Sequence, residues 1–219
     1  ASQLTSCAPT FNAKLYAASQ TFDEARHVEA FNKYIQTRTK MMYPIGNALK
    51  SILDKILTDP RWDLKFIGMQ VIIEGLALAA FQASRDLTKD PVFRDMLGLI
   101  IRDEARHVTF GINYLEEFVD TLTEQEKEDR AQFAYEACWL SRERLVSMEV
   151  FEHFGMDAEE ARQFQLSSDI TQLFQKLLFS RVMPNLRRIG LLRDSVKHKF
   201  EDLGICLLYT SPSPRDLSE

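Results

Sequence analysis

One hexapeptide occurs twice in this chain, at residues 23–28 and again, letter for letter, at residues 103–108. Each copy reads Asp-Glu-Ala-Arg-His-Val and so contains Glu-x-x-His. On a helix this spacing places a carboxylate and an imidazole on one face, almost one turn apart. Because the two copies use two of only four histidines in the chain, the repeat is hard to obtain by chance. It predicts two helices with matching polar faces.

A third carboxylate lies between the two copies, within an apolar segment. Residues 71–81 are apolar except for Glu74, and a helix that is apolar on every side is buried on every side. An unpaired buried carboxylate costs several kcal/mol, so Glu74 needs a partner. Helical bundles hold two metal ions with Glu-x-x-His from two helices and a Glu from each of the other two. The predicted ligands are therefore Glu24, His27, Glu74, Glu104 and His107. The alternative is a structural bundle in which Glu74 pairs with Arg26 or Arg106.

The repeat also predicts residues that support this site. Metal-bound imidazoles usually donate their other N–H group to a carboxylate. We expect Asp103 to orient His27 and Asp23 to orient His107, although each Asp has a neighbouring Arg as an alternative partner. If the first half mirrors the second, a further carboxylate lies about 30 residues before Glu24, on a helix upstream of Ala1.

Helical periodicity extends through most of the chain, and no segment alternates as a strand does. The expected helices cover about 12–38, 45–57, 60–87, 90–122, 123–154, 168–183 and 184–203, with another starting near 157. The predicted fold is all-α, with one domain over residues 1–205. Residues 206–219 contain Ser-Pro-Ser-Pro and resemble translated adapter sequence, so we expect a non-native or disordered tail there.

Composition excludes several classes of protein. The net charge of −5 argues against a nucleic-acid partner. Three cysteines without a CxxC pair form neither a disulfide framework nor a zinc site, which favours a reducing, cytoplasmic location. No run of about 18 apolar residues is evident, so we expect no membrane-spanning helix, and the first residues lack the features of a signal peptide.

The two hexapeptides and the stretch Ile73-Glu74-Gly75-Leu76 resemble the ferritin-like di-iron-carboxylate superfamily. Residues 101–107 are most similar to the ribonucleotide reductase small subunit and its relatives, among them multicomponent monooxygenases, ligand-binding oxidases and the para-aminobenzoate N-oxygenase group. The resemblance covers about residues 12–120. It implies a ferritin-like bundle with additional C-terminal helices and two iron ions that activate O2, with Fe/Mn as an alternative. It also implies the same five ligands, supported by Asp103, and an electron-donor protein.

Three positions depart from the patterns of individual relatives. Phe31 stands where radical-generating subunits usually have Tyr, and Ile100 stands where the N-oxygenase group has an additional His. Ile100 therefore argues against that group. Gly111 corresponds to Phe31 in the second half, and it either opens a pocket beside the metals or allows close helix packing. About 95 helical residues after His107 and the lack of CxxC argue against storage ferritins and rubrerythrins.

The sequence best fits an O2-activating di-iron oxidoreductase of the oxygenase, hydroxylase or desaturase type, acting on a small organic or acyl substrate. One alternative is a radical generator like the ribonucleotide reductase small subunit, and another is an iron-storage or non-catalytic bundle. The expected partners are O2, a substrate, an electron-donor protein and a second copy in a homodimer, without nucleic acid or membrane.

Overall fold

The computed structural model describes residues 1–39 and 41–205. Within these ranges all regular secondary structure is helical and no strand occurs, which confirms the all-α prediction. The predicted tail at residues 206–219 lies outside the described residues.

The helices are α1 (Leu4–Cys7), α2 (Phe11–Tyr34), α3 (Asn47–Thr58), α4 (Trp62–Phe66), α5 (Glu74–Leu87), α6 (Pro91–Val119), α7 (Glu124–Glu143), α8 (Met148–His153), α9 (Ala158–Ser167), α10 (Asp169–Arg188) and α11 (Asp194–Asp202). A π-helical turn, Ile35–Thr39, extends α2, and a π-helical segment, Ile67–Ile73, joins α4 to α5. Helix α5 packs against α6 and α10, and α2 packs against α6.

Helices α2 and α6 carry the two hexapeptides and lie antiparallel, each held at its start by the other. Thr10 caps the N-terminus of α2 and Asp90 caps that of α6, where their side chains accept backbone hydrogen bonds. The Tyr34 hydroxyl at the end of α2 donates to Asp90 over 3.1 Å, and the Tyr114 hydroxyl on α6 lies 2.8 Å from that of Thr10. Since 10 and 34 correspond to 90 and 114 in the repeat, the pair has an approximate twofold axis.

The helical rod Trp62–Leu87 is the core of the bundle. It is long and apolar enough to cross a membrane, with a mean hydropathy of 1.7, so the expectation that the sequence lacks such a segment was wrong. In the structure 67% of that window is buried, and Leu64, Phe66, Ile67, Val71 and Ile72 are fully enclosed. The rod is therefore buried by its neighbouring helices, as a core helix is.

The C-terminal helices differ from the prediction in two places. The helix expected over 123–154 starts with the predicted capping box at Thr123 but ends at Glu143, and the chain turns with Val146 buried before α8. The expected boundary at Pro184 is also wrong, because α10 continues through it to Arg188. Val182 and Met183 are fully buried beside Pro184, and this packing offsets the lost hydrogen bond.

Gly190 forms the actual end of α10. Its φ of 75° lies in the left-handed region, where glycine has no Cβ penalty. The Leu191 amide then donates to the Leu186 carbonyl over 2.9 Å, which closes the helix as a Schellman motif does.

Candidate metal centre

The two Glu-x-x-His pairs meet at the middle of α2 and α6, and each carboxylate approaches both imidazoles. The oxygens of Glu24 lie 3.5 Å from His27 Nδ1 and 3.3 Å from His107 Nδ1. Those of Glu104 lie 3.1 Å from His27 Nδ1 and 3.5 Å from His107 Nδ1. The two helices therefore contribute a nearly symmetric cluster in which both carboxylates span both rings.

Glu74 joins this cluster from the first residue of α5, directly after the π-helical segment. Ligand atoms of Glu24, Glu74, Glu104 and His107 all lie within 4.8 Å of one another. His27 completes the group through its contacts with the two bridging carboxylates. The structure thus brings together the five residues that the sequence nominated. π-Helical turns are frequent at functional sites, and here one sets the position of Glu74.

Each of the five side chains has one buried polar atom without a hydrogen-bond partner among the described residues. These atoms are Glu24 Oε1, His27 Nδ1, Glu74 Oε2, Glu104 Oε2 and His107 Nδ1. Buried polar atoms are nearly always satisfied, and leaving one unpaired costs about 1–3 kcal/mol. Carboxylate oxygen together with imidazole nitrogen is a donor set that suits iron and manganese. The cluster therefore fits a pair of bound cations.

The outer nitrogen of each imidazole faces an aspartate of the opposite helix. His27 Nε2 lies 3.2 Å from Asp103 Oδ2, and His107 Nε2 lies 3.2 Å from Asp23 Oδ2. When Nε2–H donates to the aspartate, Nδ1 keeps its lone pair free toward the centre of the cluster.

Both aspartates also bind arginines on the outside of the bundle. Arg26 donates to Asp23 over 2.5 Å and to Asp103 over 3.0 Å. Arg106 donates to Asp103 over 2.8 Å and to Asp23 over 3.3 Å. Each aspartate therefore contacts both of its expected partners, a histidine and an arginine. The arginines balance the negative charge of the two aspartates.

The protonation equilibria of the cluster are strongly shifted. Burial, with Glu104 and Glu24 nearby, raises the pKa of Glu74 to about 8. Burial alone would raise the pKa of Glu24, but the two histidines lower it to about 2. For His27 and His107, burial lowers the pKa, yet the Glu104 and Glu24 carboxylates outweigh it and raise both values to about 10. Without metal, protons on the imidazoles thus compensate the carboxylates, and metal binding must release protons.

Two buried glutamines that sequence reasoning did not select complete the surroundings of Glu74. Gln20 Nε2 donates to Glu74 Oε1 over 2.8 Å, and Gln70 Nε2 donates to Gln20 Oε1 over 3.1 Å. Gln20 lies one turn before Glu24 on the same helix face, which was the available signal. The residue that corresponds to Gln20 in the second half of the repeat is Ile100. The α2 side of the centre therefore has a polar residue at this position, whereas the α6 side has an apolar one.

The two remaining candidates, Phe31 and Gly111, are both in contact with other helices. Phe31 packs against Phe81, with ring centroids 5.6 Å apart. A Cβ atom at Gly111 would lie 2.5 Å from the Cβ atom of Gln70. Close packing of α6 against the π-helical segment accounts for Gly111.

An all-helical bundle in which two Glu-x-x-His helices meet a glutamate from a third helix is the arrangement of the ferritin-like di-iron-carboxylate proteins. The fold and the cluster place the chain in that class. Residues 3–190 match the family model of the P-aminobenzoate N-oxygenase AurF, and the chain belongs to this family of di-iron oxygenases. It is therefore an oxidoreductase that uses O2 and a substrate. No curated protein and no solved structure matches it.

The family match corrects the expectation that Ile100 argues against membership of the N-oxygenase group. The absence of a histidine at this position does not separate the chain from the N-oxygenase group. In the structure Ile100 is 3% exposed, as an apolar core residue is.

Proposed function

We propose that the chain is an O2-dependent oxygenase that oxidises a small organic substrate at two iron ions bound in the central cluster. The proposed ligands are Glu24, His27, Glu74, Glu104 and His107. The observation that carries the proposal is the convergence of five buried donor atoms, one from each of these side chains, that form no hydrogen bond among the described residues. Manganese accepts the same donors, so Fe/Mn occupation belongs to the same proposal.

The side chains of the cluster have different roles in holding two ions. Glu24 and Glu104 each lie within 3.1–3.5 Å of the Nδ1 atoms of both imidazoles, so these two carboxylates, the two histidines and Glu74 would hold the ions together. Asp103 and Asp23 keep the histidines in the tautomer that exposes Nδ1. Bound iron supplies electrons for the reduction of O2, a chemistry that these side chains lack. Without metal, Glu74, with its pKa of about 8, holds a proton near neutral pH, and it would release this proton when a cation binds.

The side chain of Glu24 is 35% exposed, whereas that of Glu104 is 7% exposed, so the cluster is more accessible to solvent on its α2 side.

For the reaction, the family description favours oxygenation of an amine nitrogen. Hydroxylation or desaturation of an acyl chain is the other reaction type in the proposal. An electron-donor protein, homodimerisation and a cytoplasmic location are parts of the same proposal. Cys138, which is buried, and Cys7 are free thiols, as in a reducing compartment.

Generation of a tyrosyl radical is the second candidate function, and one residue favours it. Tyr16 on α2 stacks on Phe110 at 3.6 Å and lies edge-on to His107 at 6.5 Å. Burial raises the pKa of Tyr16 to about 12. Phe31, at the position usually occupied by the radical tyrosine, and the family match both favour the oxygenase.

The test is iron binding by His107→Ala. We expect the wild-type chain to bind about two Fe(II) ions and the variant to lose that loading, because the imidazole is 1% exposed and central to the cluster. Helical content, measured by circular dichroism, should be largely retained.

His153→Ala is the control, since His153 is an exposed residue at the end of α8. Unchanged iron content in His107→Ala would refute the ligand set. Uptake of many ions per chain would indicate storage instead of catalysis.

A further inference from the structure

Two glutamine side chains are enclosed beside Glu74, in a part of the bundle whose other side chains are mainly apolar. Gln20 on α2 is 2% exposed, and Gln70 in the π-helical segment is 0% exposed and is followed by the buried residues Val71 and Ile72. Gln70 Oε1 has no hydrogen-bond partner among the described residues. Burial of an amide costs free energy unless both of its ends are hydrogen-bonded, so packing alone does not account for this pair.

The two amides form a short hydrogen-bonded chain that ends on one oxygen of Glu74. Gln70 Nε2 donates to Gln20 Oε1 over 3.1 Å, and Gln20 Nε2 donates to Glu74 Oε1 over 2.8 Å. A metal-bound carboxylate is ionised and can only accept hydrogen bonds. The NH2 group of Gln20 must therefore face Glu74, and its carbonyl group must face the NH2 group of Gln70.

This chain distinguishes the two oxygens of Glu74. Oε1 accepts a hydrogen bond from Gln20, whereas Oε2 is buried and forms no hydrogen bond among the described residues. A ligand atom of Glu74 lies within 4.8 Å of those of Glu24, Glu104 and His107. Because a hydrogen bond withdraws electron density from Oε1, Oε2 is the better donor to a cation.

The position of Gln70 depends on the close approach of α6. A Cβ atom at Gly111 would lie 2.5 Å from Gln70 Cβ and 3.2 Å from Gln70 Cγ. The absence of a side chain at residue 111 thus leaves the space from which Gln70 reaches Gln20. The α6 half of the repeat has no equivalent amide, because Ile100 stands where α2 has Gln20.

We propose that Gln20 and Gln70 are positioning residues, which hold Glu74 with Oε2 directed toward the bound ions. Gln20 acts on Glu74 directly, and Gln70 acts through Gln20, because it fixes the direction of that amide. Hydrogen-bond partners of metal ligands raise the metal affinity by keeping the ligand in its binding orientation. The proposal rests on the proposed function, since it concerns a ligand of the same centre.

The test is a double-mutant cycle on the affinity for Co(II), a coloured substitute for Fe(II), measured by calorimetry. We expect Gln20→Met to weaken binding about 10- to 100-fold. Gln70→Met should weaken it about 2- to 10-fold, which corresponds to one hydrogen bond. Because Gln70 acts through Gln20, the double variant should bind Co(II) no more weakly than Gln20→Met alone.

The absorption spectrum of bound Co(II) is the second readout, because it reports the number and arrangement of the ligands. It should change in Gln20→Met. Gln175→Met is the matched control, since Gln175 is also a buried glutamine, 6% exposed, but its partners are Arg142 and the Leu203 carbonyl, outside the cluster. This variant should keep both the affinity and the spectrum of the wild-type chain.

Urea unfolding of the metal-free variants separates positioning from a role in folding. Gln70→Met removes one unpaired oxygen, Gln70 Oε1, and leaves another, Gln20 Oε1, so its free energy of unfolding should change little. A Gln70→Met chain that does not fold would show a structural role and overturn the proposal.

Equal Co(II) affinity in Gln20→Met and the wild-type chain would overturn the proposal, and so would a double variant weakened by the product of the two single effects. Either result in a wild-type chain that binds about two ions would leave the proposed function intact. A wild-type chain that binds neither Co(II) nor Fe(II) would refute the proposed function itself, and the positioning role with it.

Discussion

Glu74→Gln should stabilise the metal-free protein while it destroys the metal site. The amide keeps an acceptor for Gln20 Nε2, which donates to Glu74 Oε1. Its NH2 group takes the place of Oε2, which has no hydrogen-bond partner among the described residues. The amide can donate to the neighbouring carboxylates of Glu24 and Glu104, which repel an ionised Glu74.

The size of the effect follows from the pKa of Glu74, which rises from 4.5 to about 8. Between these values the native state binds more protons than the unfolded state, so the free energy of unfolding falls as pH rises. At about 1.4 kcal/mol per unit the loss is about 3 kcal/mol at pH 7. The attraction of His107 is already contained in this pKa, so we expect the variant to gain about 3 kcal/mol at pH 7. This corresponds to a Tm increase of about 6–12 °C.

The assay is urea unfolding of both metal-free proteins at pH 5, 7 and 8. The stability difference should be small at pH 5 and grow with pH, and Fe(II) should stabilise only the wild-type chain. Glu117→Gln, at an exposed position of α6, is the control and should follow the wild-type curve. A variant that is no more stable than wild type at pH 8, or that shows the same pH slope, would refute the reasoning.

Two further predictions concern the support of the cluster. Asp103→Asn should weaken metal binding about 10- to 100-fold without abolishing it, because His27 loses the carboxylate acceptor that orients it. Competition with a metal-binding dye measures the affinity, and an unchanged affinity would contradict the prediction. Gly111→Ala should lower the free energy of unfolding by about 1–3 kcal/mol, because its Cβ would lie 2.5 Å from that of Gln70. Gly98→Ala on the same helix is the control and should be neutral or stabilising by up to about 1 kcal/mol in urea unfolding, since its Cβ meets Arg85 at an ordinary 3.5 Å.

Local patterns in the sequence predicted most of the helices. The Asp90-Pro91 start of α6 and the Thr123 capping box are determined by residues within one turn, and both occur in the structure. The continuation of α10 through Pro184 depends on burial against other helices, and no local pattern reports that burial. The same holds for the π-helical segment Ile67–Ile73, which has no sequence signature of its own.

The candidate site could be predicted from the sequence because its residues recur in a repeat and at helical spacing. That reasoning nominated the five clustered side chains, whose role as ligands stays a proposal. Gln20 and Gln70 were not nominated, because their importance comes from contacts between helices. Gly111 was nominated, but the sequence could not decide between a pocket and close packing. The position of Gln70 in the structure shows the close packing.

The reciprocal contacts between α2 and α6 have a consequence for the order of assembly. Tyr34 and Tyr114 each bind the first turn of the other helix, so neither helix end is secured before both have been synthesised. At about 5–20 residues per second, the second hexapeptide leaves the ribosome about 4–16 s after the first. During that interval the polar face of α2 has no partner, and its two proposed ligand side chains, Glu24 and His27, are exposed to water. With the proposed ligand set, metal insertion would therefore follow the completion of α6.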